Sequence, residues 1–279
     1  IFSKKKKKMT LVSTLWLSKN LNTVKIIDAS WHLVKNRNAT KEYNSAHIEN
    51  AIFFNLDKSS NQKKNLPHGH FLPSKEYHKK IISEIGILNT DRIIIYCNSN
   101  LVSSCRAWFQ FIYFGHDPKL VSVLDGGMKK WKLEGRKVTN LKTKIITSKY
   151  NVKENKNMIK IKSEIDENVK KRNFTILDAR SKNRFLSLEP EPRSGVKSGA
   201  IEGSKSFPFN ELINIKDNTF LDKKKLKKLF NLKGVTSNKI VMSCGSSVSA
   251  ASLALAYSLI NDDYMAKIYV GSWTEYGKK

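Results

Sequence analysis

The stretch "KIVMSCGSSVSAASLALAYSLI", Lys239–Ile260, decides the fold class of this chain. Its first part, "KIVMS", is a short apolar run typical of a buried strand, and "CGSSVS" then predicts a tight loop of small residues. The final part, "AASLALAYSLI", is long and apolar enough to predict a helix. A strand that leads through a tight loop into a helix is a unit of parallel α/β sheets, and here Cys244 lies at the junction.

The first half of the chain repeats this pattern. "TDRIIIYC" (Thr90–Cys97) matches "SNKIVMSC" (Ser237–Cys244), and each run ends at a cysteine. Further matches follow the same order at a nearly constant offset, namely "VKIIDASWHL" with "FTILDARSKNRF", "AHIENAIFFNL" with "GAIEGSKSFPF", and "VSVLDGGMKKW" with "AKIYVGSWTEY". These ordered matches predict two homologous domains.

Each half alternates short β-rich runs with helical stretches such as "SKEYHKKIISEIG" (Ser74–Gly86). This alternation predicts two α/β domains, each with a mostly parallel central sheet flanked by helices. A polar, lysine-rich segment near residues 140–160 suits a linker. We therefore expect an N-terminal extension at residues 1–8, a first domain at 9–139, the linker at 140–160 and a second domain at 161–279.

The composition indicates a globular protein with an unusually basic surface. Apolar residues make up 40% of the chain and the formal net charge is +27. The lysines are spread along the sequence without a recognisable nucleic-acid-binding motif, so a solvated surface is the favoured explanation, with non-specific polyanion binding as the alternative. No apolar run approaches the roughly 18–20 residues that span a bilayer, which predicts a soluble protein.

The cysteines indicate a reducing compartment rather than a disulfide-stabilised protein. Cys97, Cys105 and Cys244 are odd in number and widely spaced, and they form no zinc-type pattern. We therefore predict a cytoplasmic protein without metal or cofactor.

Cys244 is the strongest candidate for a reactive residue. At the carboxyl end of a parallel strand it would lie over the N-terminus of the next helix, where N–H groups and the helix dipole favour a thiolate. A buried core cysteine is the alternative. A cysteine phosphatase would need an arginine six residues later, where this chain has Ala250, and no phosphate-binding Gly-Lys-Ser/Thr loop is present.

Together with the two-domain repeat, "RFLSLEPEPRSG" (Arg184–Gly195) and "CGSSVSA" resemble the 3-mercaptopyruvate sulfurtransferases of the tandem-domain rhodanese family. "AHIENAIFFNLD", "LDGGMKKW" and "GSWTEYG" add to this resemblance, which extends from Met9 to Lys279. It implies two tandem rhodanese-like domains, the first non-catalytic and the second catalytic. Thiosulfate-using members of the family carry basic residues directly after the cysteine, and the neutral Gly245 and Ser246 here favour mercaptopyruvate as the donor.

The resemblance implies a transferase reaction in two steps. Cys244 would take sulfane sulfur from 3-mercaptopyruvate as a persulfide and release pyruvate, and a thiol acceptor such as thioredoxin, or cyanide, would then remove the sulfur. No specific nucleic acid or membrane partner is implied. A thiosulfate sulfurtransferase and a non-enzymatic rhodanese-like sulfur-relay or binding scaffold are the alternatives.

The resemblance also assigns substrate-binding residues. Arg184 and Arg193 match the family's arginines for the keto-acid, and planar guanidinium groups suit a carboxylate. The alternative for each arginine is a salt bridge with Glu189 or Glu191. The loop residues expected around the substrate are Gly245, Ser247, Val248 and Ser249.

Within that loop we expect Ser249 to cap the following helix through its hydroxyl. Ser247 stands where the family has glycine, and we expect this change to constrain the backbone.

The remaining implied residues concern proton transfer. Ser246 matches a serine that relays a proton to the departing enolate, and a loop-stabilising hydroxyl is its alternative role. Asp57 and a histidine would support that serine. The histidine is His70, which keeps the family's spacing to Leu72–Pro73, or else His68. Cys97 lacks the small-residue loop and is expected to be inert or redox-sensitive.

Overall fold

The structure is a computed structural model that describes residues 9–33, 36–61 and 69–279. The predicted extension at residues 1–8 and the alternative histidine, His68, lie outside the described residues. The chain divides into two compact units. The first unit consists of Ile1–Asn55 and Lys75–Asn155, and the second of Leu56–Ser74 and Lys156–Lys279. Each unit is therefore assembled from two separate stretches of the chain.

The first unit is built from short strands that alternate with helices. Its strands are β1 (Leu11–Val12), β2 (Lys25–Asp28), β3 (Ala51–Phe53), β4 (Ile93–Tyr96) and β5 (Val121–Leu124). Its helices are α1 (Thr14–Ser18), α2 (Ala39–Ser45), α3 (Lys75–Glu84), α4 (Val102–Tyr113) and α5 (Gly127–Leu133). The strand predicted in "TDRIIIYC" is β4, and the helix predicted in "SKEYHKKIISEIG" is α3.

The sheet of the first unit is parallel, with strand order β1-β5-β4-β2-β3. β2 and β4 pair in register from Lys25 opposite Ile93 to Asp28 opposite Tyr96. All residues of β4 and β5 are buried, which is why their sequences are almost unbroken apolar runs. The prediction of a parallel α/β sheet is confirmed for this unit.

The polar segment that follows α5 packs against the first unit as far as Asn155. The N–H of Ser148 donates to the carbonyl of Ser83, and the N–H of Lys153 donates to the carbonyl of Phe114. Tyr150 anchors the segment because its side chain is fully buried beside His116, with the two rings stacked. Residues after Asn155 belong to the second unit.

The second unit repeats the plan of the first. Its strands are β6 (Ile159–Lys160), β7 (Thr175–Asp178), β8 (Lys205–Ser206), β9 (Ile240–Ser243) and β10 (Ile268–Tyr269). Its α-helices are α6 (Lys162–Lys171), α7 (Lys182–Phe185), α8 (Lys223–Leu232), α9 (Ala250–Ile260) and α10 (Ser272–Tyr276). Short 3-10 helices cover Lys156–Met158 and Phe209–Leu212.

The second sheet is also parallel, with strand order β6-β10-β9-β7-β8. β9 occupies the same central position as β4 does in the first unit, and α9 spans the predicted "AASLALAYSLI". Cys244 therefore follows the central strand, at the sheet edge where open α/β sheets bind ligands. Among the residues described, no helix combines the length and apolar character needed to cross a bilayer.

The lysine-rich run at residues 223–228 forms the amphipathic helix α8. Its lysines are exposed, whereas Leu226 and Phe230 are buried against the unit. Asp222 caps this helix by accepting a hydrogen bond from the N–H of Lys225. In this run the positive charge therefore lies on a solvated helix face.

His78 makes the stability of the first unit depend on pH. Its ring is buried, stacks on Phe114 with 3.9 Å between ring centroids, and lies next to Gln110. Burial, together with nearby positive groups, lowers the pKa of His78 from 6.5 to about 3. The unfolded chain therefore takes up a proton below pH 6.5 that the folded protein does not accept, and stability falls as the pH drops towards 3.

We predict that His78→Phe removes this part of the pH dependence. Between pH 7 and pH 4.5 the wild type should lose about 2–3 kcal/mol more folding free energy than the variant, because the lost stability grows by about 1.4 kcal/mol for each pH step below the pKa of the unfolded chain. Urea unfolding of both proteins at the two pH values measures the difference. Equal losses of folding free energy in the two proteins would contradict the role of His78 in the pH dependence.

Candidate functional site

Cys244 begins the loop between β9 and α9. The loop, residues 244–249, consists of small residues apart from Val248, so the backbone can turn tightly from the strand into the helix. The cysteine is a free thiol and only 1% exposed. Its surroundings are nonetheless polar, because serine hydroxyls, backbone N–H groups and arginine side chains lie around the loop.

The start of α10 holds this loop in shape. The Ser272 hydroxyl accepts hydrogen bonds from the N–H of Cys244 (3.3 Å) and the N–H of Ser247 (3.1 Å), and it donates to the carbonyl of Tyr269 (2.8 Å). The N–H of Trp273 donates to the carbonyl of Cys244 at 2.8 Å. This role of Ser272 was not predicted from the sequence. The motif "GSWTEYG" was the available signal, but it does not show which backbone groups the serine reaches.

Gly245 lies directly against the arginines that the sequence singled out. A Cβ atom at this position would come 3.0 Å from Nη2 of Arg184 and 3.2 Å from Nη1 of Arg193, closer than ordinary contacts. Thr274 fixes the glycine by donating to its carbonyl from both the N–H (2.9 Å) and the hydroxyl (2.6 Å). The structure thus brings both guanidinium groups next to the residue that follows Cys244.

Arg184 also forms the salt bridge considered as its alternative role. Its Nε and Nη2 donate to the Glu191 carboxylate at 3.1 and 2.5 Å, and the Glu191 side chain is only 2% exposed. Glu189 instead accepts a hydrogen bond from the exposed Ser181 hydroxyl. Arg184 therefore pairs with Glu191 and lies next to Gly245 at the same time.

Arg180 shares the Glu191 carboxylate and was not identified from the sequence. Its buried guanidinium donates to Glu191 (2.7 Å) and to Asp178 (2.7 Å), and it lies over the Trp273 ring at 4.8 Å. Burial opposes the charge, but the two carboxylates raise the pKa of Arg180 above its usual value. The motif "LDAR" was visible in the sequence only as part of the repeat.

Arg193 reaches the loop serine. Its Nη2 donates to Oγ of Ser246 at 2.9 Å. Burial, together with the neighbouring Arg184 charge, lowers the pKa of Arg193 below its usual value. A mostly buried cation beside another cation gains most from a nearby anion, so this position is suited to bind one.

Ser246, His70 and Asp57 form a hydrogen-bonded chain within the second unit. Nδ1 of His70 lies 3.2 Å from Oγ of Ser246, and Nε2 lies 3.0 Å from Oδ1 of Asp57. An ionised carboxylate only accepts, so Nε2 carries the proton and Nδ1 accepts from the serine hydroxyl. The structure thus brings together the three residues predicted for proton transfer, with Arg193 donating to the same hydroxyl.

Ser247 and Ser249 shape the rest of the loop. Ser247 has a left-handed backbone (φ 61°), which costs a non-glycine residue about 1–2 kcal/mol. The prediction that Ser249 caps α9 through its hydroxyl is wrong. Ser249 occupies the N-cap position without a side-chain hydrogen bond, because its backbone is already helical (φ −72°, ψ −20°) instead of extended. Val248 is buried beside it.

The first unit keeps the framework of this loop around Cys97. The carbonyl of Cys97 accepts from the N–H of Met128 at 3.1 Å, as Cys244 does from Trp273, and Leu101 has a left-handed backbone like Ser247. The thiol is fully buried and lies near the Ser99 and Ser104 hydroxyls (3.4 and 3.6 Å). The two loops therefore share backbone features, although the left-handed residue lies four positions after Cys97 and three after Cys244.

Comparison with known proteins accounts for this repeated geometry. A rhodanese-like domain model matches residues 13–134 and again residues 162–279. The chain belongs to the rhodanese family. The family predicted from the sequence is confirmed, although Leu56–Ser74 lies within the first matched region and belongs to the second compact unit.

Proteins that match nearly the whole chain in sequence are named as sulfurtransferases. Thiosulfate/3-mercaptopyruvate sulfurtransferase 2 of Arabidopsis thaliana is 35% identical, covering 95% of this chain and 83% of the plant protein. The 3-mercaptopyruvate sulfurtransferase of Mus musculus is 33% identical, covering 95% and 91%. The crystal structure of SseA from Escherichia coli, described as a 3-mercaptopyruvate sulfotransferase, has a TM-score of 0.84 at 28% identity and covers 96% of this chain and 100% of SseA.

We predict that Glu191→Ala destabilises the rhodanese fold by about 3 kcal/mol, because removing one partner of a buried ion network leaves its other charges uncompensated. Glu189→Ala is the matched control and should stay within about 0.5 kcal/mol of the wild type, since its partner is exposed. Urea unfolding measures both variants. Equal midpoints for the two variants would contradict the central place of Glu191.

Proposed function

We propose that this protein is a sulfurtransferase that moves sulfur from 3-mercaptopyruvate to a thiol acceptor through a persulfide on Cys244, releasing pyruvate. The observation that carries the proposal is the position of Cys244 at the end of the central strand, one residue before Gly245, against which Arg184 and Arg193 lie. The names of the relatives support the same reaction. Thiosulfate is the second donor considered, because the Arabidopsis relative is named for both donors.

In the first step, the Cys244 thiolate attacks the sulfur of 3-mercaptopyruvate. A sulfur–sulfur bond forms and the carbon–sulfur bond breaks, so its electron pair leaves on carbon as the enolate of pyruvate. Protonation of this enolate gives pyruvate, and the transferred sulfur stays on the enzyme. Backbone N–H groups at the start of α9 suit the negative sulfur before and after transfer.

Arg193 and Arg184 would bind the carboxylate and the ketone of the substrate. The Glu191 carboxylate compensates part of the charge on Arg184, whereas Arg193 has a lowered pKa and lies against the Ser246 hydroxyl. A substrate carboxylate at this position would gain charge-assisted hydrogen bonds. The same contacts would orient the carbon–sulfur bond towards Cys244.

Ser246 would deliver the proton to the enolate. Its hydroxyl lies between Arg193 and Nδ1 of His70, while Asp57 fixes the other ring nitrogen. Donation from Arg193 makes the hydroxyl more acidic, and His70 holds the serine in place. The proton that Ser246 gives up would be replaced by the hydrogen of the substrate thiol, which leaves the transferred sulfur on Cys244 as a persulfide anion.

In the second step, a thiol acceptor attacks the outer sulfur and Cys244 leaves as a thiolate. Thioredoxin is the acceptor we propose, because its low-pKa thiol is a good nucleophile at neutral pH. The free thiols of Cys97, Cys105 and Cys244 fit a reducing compartment, and we propose a cytoplasmic location on that ground.

We predict that Cys244→Ser abolishes pyruvate release from 3-mercaptopyruvate and sulfur release from thiosulfate, because a serine hydroxyl is not ionised near neutral pH. Cys97→Ser is the matched control, since Cys97 occupies the corresponding position in the first unit, and it should keep wild-type activity. Intact-mass analysis after mixing with 3-mercaptopyruvate should find one added sulfur atom on a peptide that contains Cys244. Turnover by Cys244→Ser would refute the proposal.

We predict that Arg193→Ala lowers kcat/KM for 3-mercaptopyruvate about 100-fold, because the variant loses charge-assisted hydrogen bonds worth roughly 1.5–3 kcal/mol each. Attack of cyanide on the preformed persulfide should change less than threefold, since that step involves no keto-acid. Stopped-flow measurement of each half-reaction separates the two effects. Equal losses in both steps would contradict a carboxylate-binding role.

A further inference from the structure

The hydroxyl of Ser247 makes a contact that the proposed reaction does not use. It donates to the carbonyl of His70 at 3.1 Å, and both residues are about 1% exposed. The bond joins the loop that carries Cys244 to a stretch of chain far away in sequence, Leu56–Ser74, within the same compact unit. The nucleophile loop therefore holds the His70 backbone directly.

The backbone of Ser247 aims its side chain at this carbonyl. The residue keeps a left-handed conformation (φ 61°), and its N–H is bound by the Ser272 hydroxyl. Glycine adopts this conformation without cost but has no hydroxyl to donate. Serine at this position is therefore strained, but unlike glycine it can donate a hydrogen bond to the His70 carbonyl.

Two contacts of His70 other than the Ser247 bond act on its ring. Nε2 pairs with Asp57, whose side chain is 49% exposed, so this contact orients the ring and is open to solvent on one side. Nδ1 pairs with Ser246, the group that His70 is required to orient. The Ser247 bond acts instead on the main chain and is buried, so it limits how far the imidazole can move away from Ser246.

We propose that Ser247 is a positioning residue that sets the His70 imidazole against Ser246 for proton delivery during pyruvate release. This inference rests on the proposed sulfurtransferase function and adds a residue to it. The bond concerns only the step in which the enolate takes up a proton. Cyanide attack on the persulfide expels a thiolate and requires no proton from Ser246.

The test uses two variants that lose the hydroxyl in different ways. Ser247→Ala keeps the Cβ atom and the left-handed strain, whereas Ser247→Gly removes both. Ser258→Ala is the matched control, because it deletes a buried hydroxyl that donates to a carbonyl (Leu255, 2.7 Å) within α9. Single-turnover pyruvate release and cyanide attack on the preformed persulfide are measured for each protein.

Both Ser247 variants should release pyruvate roughly three- to tenfold more slowly than the wild type, as expected for one lost hydrogen bond. Their cyanide step, and both steps of Ser258→Ala, should stay within twofold. Wild-type pyruvate release in Ser247→Gly would overturn the proposal, since the serine would then matter only for backbone shape. Equal slowing of the two half-reactions would overturn it as well.

A double-mutant cycle with His70→Ala identifies the group through which Ser247 acts. In the His70→Ala background, Ser247→Ala should change pyruvate release less than twofold, because the imidazole to be positioned is gone. A full additional loss would contradict the inference. Failure of the proposed function gives a different result: wild-type protein would then release no pyruvate from 3-mercaptopyruvate and gain no sulfur on Cys244.

Discussion

The Ser272 hydroxyl is the interaction on which the candidate site depends. It binds the N–H groups of Cys244 and Ser247 at once, and so fixes the curve of the backbone at both ends of the turn. That curve presents Gly245 to the arginines and directs the Ser247 side chain towards His70. One short polar side chain, placed where α10 begins, thereby holds two backbone N–H groups of the loop that carries Cys244.

A second constraint is electrostatic. Glu191 is buried between Arg180 and Arg184, and Asp178 sits on the far side of Arg180, so charges alternate from the strand end to the loop. Such a row keeps Arg184 extended without leaving buried charge uncompensated. Arg193 lies at the end of the row against Ser246, where burial and the neighbouring Arg184 charge lower its pKa.

The sequence predicted what depends on local pattern. The apolar runs indicated β4 and β9, the Ala/Leu stretch indicated α9, and the repeat indicated the two rhodanese-like regions. Features that depend on contacts between residues far apart in the sequence could not be predicted from it. Nothing local to Ser272 shows that its hydroxyl reaches the loop after β9, and nothing in "EPEPR" shows that Glu191 is shared with Arg180. The expected Ser249 cap failed because the backbone of that residue is helical, which the residue type alone does not reveal.

The two-part makeup of the second unit limits how the chain can be divided. Leu56–Ser74 lies in sequence between β3 and α3 of the first unit, yet it belongs to the compact unit that contains Cys244. A fragment cut at the boundary of the sequence repeat would keep Cys244 and both arginines but leave Asp57 and His70 behind. The second half of the repeat is therefore not self-sufficient, since the partners of Ser246 and Ser247 come from the first half of the chain.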